Sequence, residues 1–195
     1  MFPWFARTGA VLALLVAVVL PLAACVPLLI GSAVVGTAVV ATDRRSTGAQ
    51  LDDEVIENST TLAINERYKG EYHVNVTSYN GIVLLTGEVP VEAAKADIGE
   101  LVRTTPKVRA VQNELFVGPV SDLQTRSNDT LITSKVKARF VEAAKFQITY
   151  VKVVTERGTV YLMGMVKHAE ANDAAEIART TDGVQRVVKV FEYID

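Results

Sequence analysis

Cysteine, tryptophan and histidine are nearly absent from this chain: its 195 residues include one, one and two of them. A lone cysteine excludes an intrachain disulfide framework and a cysteine-rich zinc site. His73, in a predicted strand, and His168, at the start of a predicted helix, lie beside no cysteine or carboxylate at ligand spacing. Both are read as packing or solvated surface, and no metal site is expected. A formal charge of −2 excludes the broad basic surface of a nucleic-acid binder. Hydrophobic residues at 49% and charged residues at 22% exclude a long disordered chain. No Ser/His/Asp or paired-carboxylate constellation stands out, and Gly31–Gly36 lacks the Lys-Ser/Thr of a phosphate loop. Neither an enzyme nor a dissociable cofactor is expected.

Charge is also missing, from Thr8 to Thr42. Arg7 and the free amine precede an apolar run from Ala10 to Leu22, shorter than the ~20 residues of a membrane span. Pro21 and Pro27 would each interrupt a helix. Leu22-Ala23-Ala24-Cys25 closes the run and resembles the bacterial lipoprotein box. Small side chains there let a peptidase approach the backbone. The Cys25 thiol would accept a diacylglyceryl group, and cleavage would free its amine for an N-acyl chain. Residues 1–24 are therefore expected to be a lipoprotein signal peptide, with an uncleaved span as the alternative. Val26 stands where an aspartate would favour inner-membrane retention, so outer-membrane sorting with periplasmic exposure is expected. Residues 25–50 form a tether whose apolar part, Pro27–Ala41, either follows the membrane interface, packs on a partner or is a plain linker.

The rest of the chain is one unit used twice. Val74, Val76, Gly81, Val83, Leu85, Gly87 and Val89 recur in the same spacing at Val151, Val153, Gly158, Val160, Leu162, Gly164 and Val166. Asp53, Ile56, Thr104, Thr105, Val108 and Val111 recur at Asp129, Ile132, Thr180, Thr181, Val184 and Val187, an offset shorter by a single position. Each unit reads as αββαβ. A first helix (Asp53–Asn65; Asp129 to about Ala144, with Asp129 as its cap) precedes a hairpin turning at Asn80-Gly81 or Arg157-Gly158. An alanine-rich helix (Val91–Arg103; His168–Arg179) and a last strand (Val108–Val117; Val184–Tyr193) follow. The expected fold is α+β: two tandem domains, residues 51–117 and 128–195, each a mixed three-stranded sheet packed on two helices, joined by a linker at 118–127.

These residues carry a resemblance. The lipoprotein box, Val34-Val35-Gly36-Thr37, the Asp43–Asp53 segment, the paired hairpin glycines and Asn128-Asp129-Thr130 resemble the dual BON-domain outer-membrane lipoproteins over nearly the whole chain. The resemblance implies two BON domains, a role in envelope integrity, and binding of anionic phospholipid, such as phosphatidylglycerol or cardiolipin, through the second domain. The family often has tryptophan at the position of Leu131, and leucine lacks the indole N–H that favours the interface.

Charge separates the two units. Residues 51–117 carry 6 basic and 11 acidic side chains, whereas residues 128–195 carry 10 and 9. With Ile132, Val136, Phe140 and Ala143 turned to the sheet, Leu131, Ser134, Lys135 and Ala138 point outward, with Thr130 and Arg139 at the edges. An outward leucine beside a lysine can insert its side chain while the ammonium reaches headgroups. These six residues are the candidate phospholipid-binding face; the alternative is that Leu131 packs on the linker or the first unit. Acidic unit one suits a basic protein partner, which leaves open an adaptor for envelope assembly or cell division.

Overall fold

The computed structural model describes residues 43–70 and 72–195. The expected signal peptide, Cys25 and the apolar tether lie outside the described residues. Domain 1 runs α1 (Thr47–Arg67), β1 (His73–Tyr79), β2 (Ile82–Val89), α2 (Glu92–Arg103), β3 (Ala110–Asn113) and β4 (Phe116–Val117). Domain 2 runs α3 (Leu123–Ala143), a 3-10 turn (Ile148–Tyr150), β5 (Lys152–Glu156), β6 (Thr159–Val166), α4 (His168–Arg179) and β7 (Arg186–Tyr193). The expected αββαβ order is present in both. Among the described residues no helix is long and apolar enough to cross a membrane.

In each sheet the hairpin is antiparallel and the last strand lies parallel to the hairpin's second strand. Both two-residue turns use positive φ twice, at Asn80 and Gly81 and at Arg157 and Gly158, which matches strand twist. Gly87 and Gly164 have a different cause. A Cβ on Gly87 would lie 2.0 Å from the His73 carbonyl oxygen, and one on Gly164 2.1 Å from that of Tyr150. The duplicated glycines mark places where two backbones touch.

Three expectations need correction. The first helices begin earlier: α1 is capped by Ser46, whose hydroxyl accepts from the Ala49 amide, and α3 by Asp122, which accepts from the Thr125 amide. The connection after Val117 therefore shrinks to Gly118–Asp122, and residues 123–127, read as linker, are helical. Asp129 is no cap. It is buried nearly two turns into the helix, and its carboxylate accepts from the amides of Arg157 and Gly158, both at 2.8 Å. Asp53 does the same in domain 1, accepting from Asn80 N (2.7 Å), Gly81 N (2.8 Å) and Ser78 Oγ (2.6 Å). The repeated aspartate is thus a clasp from helix to hairpin turn. Finally, the last strand of domain 1 is interrupted at Glu114-Leu115. There the Asn113 side chain accepts from the Leu115 amide and donates to Lys95 O, competing with the ladder.

Each domain has its own core between sheet and helices. One holds Ile56, Val83, Leu85, Ile98 and Leu115, the other Ile132, Val136, Phe140, Val160 and Leu162. A third cluster joins the domains: Tyr79 and Leu84 from one sheet pack with Tyr161 and Met163 from the other. The sheets therefore stand back to back with helices outermost, and β2 and β6 are buried on both faces. Polar bonds rim this seam. Asn80 donates to Glu192, Lys152 to Glu57, and Arg109 pairs with Glu192. The Arg157 guanidinium lies 4.4 Å over the Phe116 ring. The contacts are reciprocal under the repeat: the hairpin turn of each domain touches the last strand of the other, Asn80 at Glu192 and Arg157 at Phe116.

Candidate functional site

The α3 face follows from a simple phase. Ile132, Val136 and Phe140 are buried against sheet 2, which turns the opposite side of the helix to solvent. Leu131 is 60% exposed, so it packs on neither the linker nor domain 1. Thr130, Ser134, Lys135 and Ala138 are exposed beside it. The Thr130 and Ser134 hydroxyls donate to carbonyls one turn earlier, at 3.0 and 2.9 Å. Their hydrogen-bonding needs are met within the helix, so the stripe around Leu131 is less polar than its composition.

The two basic residues of the face behave differently. Lys135 reaches Asp182 at 2.7 Å, an exposed pair that solvent and salt weaken. Its ammonium can exchange that partner for a phosphate. Arg139 is half-buried and donates through Nη1 to Ile177 O and Thr181 Oγ1, both at 2.9 Å. It staples α3 to the end of α4. Five of the six expected residues thus share an open face, and Arg139 supports it from the edge.

Sequence reasoning missed Val141, which is 63% exposed and lies two turns beyond Ser134. It borders a groove of about 530 Å³ that includes Lys145, Phe146 and Ile148. The two-turn spacing from Ser134 was the available signal. The opposite helix, α1, also shows apolar side chains outward: Leu51, Val55 and Leu62 are each about 60% exposed. Val55 and Leu62 stand at the repeat positions of Leu131 and Ala138. Their charged neighbours are Asp52 and Glu54, not lysines. Glu57, which reads as part of that acidic surface, instead accepts from the Ser78 amide (2.7 Å) and from Lys152 across the seam (2.8 Å).

Arg44 and Arg45 pin the chain just before α1. Arg44 forms a two-point pair with Glu170 (2.6 and 2.8 Å), donates to Met165 O and lies 3.7 Å over the Tyr150 ring, all in domain 2. Arg45 pairs with Asp43 and with Asp53 of domain 1 and lies 4.1 Å over Tyr79. The hydrogen bond from Arg44 holds the Glu170 carboxyl below its ordinary value.

The two histidines do sit beside carboxylates. His168 Nδ1 is 2.6 Å from Asp195 and its ring stacks on Tyr193. His73 Nδ1 is 3.1 Å from Glu88, its cross-strand neighbour, and 4.0 Å from Glu156 of the other domain.

The architecture is that of a tandem α+β protein, two αββαβ modules that share a seam. The BON domain model matches residues 52–119 and 128–195, and the chain belongs to the BON-domain family. It is 40% identical over 186 residues to the outer membrane lipoprotein DolP of Haemophilus influenzae, covering 94% of this chain and 96% of that protein. It is 37% identical over 154 residues to the 21 kDa hemolysin of Actinobacillus pleuropneumoniae, covering 78% and 79%. Against the osmotically-inducible protein Y of Escherichia coli K12, identity is 28% over 145 residues, 72% of each chain.

Proposed function

We propose that this chain is an outer-membrane lipoprotein facing the periplasm, and that the outward face of α3 binds anionic phospholipid in support of envelope integrity. The observation that carries the reading is Leu131, 60% exposed with the basic Lys135 one turn away on the same helix face. Thr130, Ser134 and Ala138 complete the contact, Val141 extends it, and Arg139 holds the helix in place. The leucine enters the acyl boundary while the ammonium group meets phosphates, a basic residue contributing ~1 kcal/mol near an anionic surface. Acyl chains on Cys25 supply the permanent anchor, so the α3 contact can be weak and selective.

The test is co-sedimentation of residues 43–195 with vesicles containing phosphatidylglycerol or cardiolipin, against neutral vesicles. Anionic vesicles should pull down the protein; equal, slight recovery from both would sink the reading. Cys25→Ser should release the full chain from membranes, and retention would instead favour an uncleaved span.

A second reading rests on α1. Leu51, Val55 and Leu62 lie exposed on a helix rich in carboxylates, which suits a basic protein partner and an adaptor role in the envelope. Crosslinking in cells from position 55 should then capture one defined protein.

A further inference from the structure

The seam has two ends, and the repeat makes them comparable. Tyr79, Met165 and Tyr150 at one end correspond, at the repeat offset, to Glu156, Glu88 and His73 at the other. The first end is occupied by cations of the chain itself. Arg45 and Arg44 stand one and two residues before the Ser46 cap and lie over Tyr79 and Tyr150. Before the matching cap, Asp122, the residues are Ser121 and Val120. No arginine arrives from that segment.

Of these six repeat-related residues, only those at the second end carry carboxylates. Glu88 is fully buried and Glu156 nearly so, at 0% and 7% side-chain exposure. Donor atoms of His73, Glu88 and Glu156 all lie within 4.8 Å of one another. The compensation present is partial: Arg157 reaches Glu88 at 3.3 Å, Ser121 Oγ donates to Glu88, and Asn75 donates to Glu156. Burial pushes the Glu156 carboxyl above its ordinary value. Thr86, the register partner of Asn75, keeps a buried hydroxyl with no hydrogen-bond partner among the described residues. A polar cavity of about 170 Å³, lined in part by His73, Asn75, Arg126 and Glu156, gives access from solvent.

We propose that His73, Glu88 and Glu156 bind a divalent transition metal of the zinc class, which bridges the two domains where the tether arginines do so at the opposite end. One imidazole and two carboxylates suit zinc, and the imidazole disfavours magnesium and calcium. Zinc bonds of about 2.0–2.2 Å place neighbouring tetrahedral donors roughly 3.3 Å apart, between the 3.1 and 4.0 Å of the two His73 pairs. Both carboxylates coordinate ionised. Nδ1 of His73 offers its lone pair to the metal, and the ring proton resides on Nε2. A cavity water takes the fourth position.

The test is zinc(II) titration of the full chain by calorimetry, with thermal unfolding followed in parallel. One zinc per chain should bind and raise the unfolding temperature, while magnesium leaves it unchanged. His73→Gln and Glu156→Gln should each weaken zinc binding at least tenfold and remove the thermal shift. His168→Gln and Cys25→Ser, at the other histidine and the thiol, should keep both. No zinc effect up to about 1 mM, an equal effect of magnesium, or full zinc binding by His73→Gln would overturn the site. Should the variants fail to fold, cobalt(II) on the unmodified chain decides: a four-coordinate visible spectrum supports the site, and the spectrum of the aquo ion overturns it.

Discussion

The first helices of the two domains, α1 and α3, are the same device with different outer surfaces. Each is held to its hairpin by one buried aspartate, and each presents an apolar residue outward at the same repeat position, Val55 or Leu131. Beside Val55 on the helix surface lie Asp52 and Glu54; beside Leu131, one turn on, lies Lys135. Exposed apolar area does not separate them, because each helix turns three large apolar side chains outward: Leu51, Val55 and Leu62 on α1, and Leu123, Leu131 and Val141 on α3. The sign of the surrounding charge does. A shared inner face and a free outer face let one scaffold be aimed at different partners.

Breaking the shared inner clasp should have the largest effect. Asp129→Ala leaves the Arg157 and Gly158 amides without their carboxylate, and Asp53→Ala also orphans the Ser78 hydroxyl. Each should cost about 2–4 kcal/mol in denaturant unfolding, with Asp53 the larger loss. The same clasp makes a pH prediction. Burial pushes the Asp53 carboxyl up, but hydrogen bonds from Ser78, Gly81, Asn80 and Arg45 outweigh it and hold the group below its ordinary value. The stability it contributes is therefore present above the unfolded carboxyl pKa of about 3.9 and is lost as pH falls through the lower folded value. Asp53→Asn should flatten that part of the acid-unfolding curve.

The outer face comes next. Leu131→Glu removes an insertion worth up to about 1.5–3 kcal/mol and adds a repelled charge, so anionic-vesicle binding should fall at least tenfold. Lys135→Glu should weaken it by about fivefold or more, and the loss should shrink as salt rises. The smallest effect is expected at Val55→Glu, which should leave vesicle binding unchanged. Glu54→Lys with Ser59→Lys sharpens the comparison: basic side chains around Val55 should give α1 measurable affinity for the same vesicles. Failure of that transplant would show that charge sign alone does not set the choice.

Much of this was legible in the chain. The repeat, the hairpin turns and the outward phase of Leu131 all follow from periodicity and turn chemistry. The caps did not, because Asp122 and Asp129 both qualify. Nothing local tells which carboxylate caps a helix and which reaches a distant turn, as Asp129 reaches Arg157 and Gly158. The stacking of the sheets left a trace that alternation rules pass over: Ile82-Val83-Leu84-Leu85 is apolar on both sides, as a strand buried on both faces must be. The histidine cluster left half a trace, since the turn at Asn80-Gly81 sets the hairpin register. His73 meets Glu88 through strand register and Glu156 only through the packing of one domain on the other.

The reciprocal contacts at the seam have a further consequence. Two identical subunits joined through such a surface would form a two-fold dimer, and dilution would pull them apart. Here the short segment Gly118–Asp122 joins the halves. A connection that short holds the partners at an effective concentration of about millimolar or higher, however few copies a membrane carries. Fusion also removes the requirement that both halves stay alike. The hidden faces remain matched, while α1 and α3, on the outside, are free to diverge.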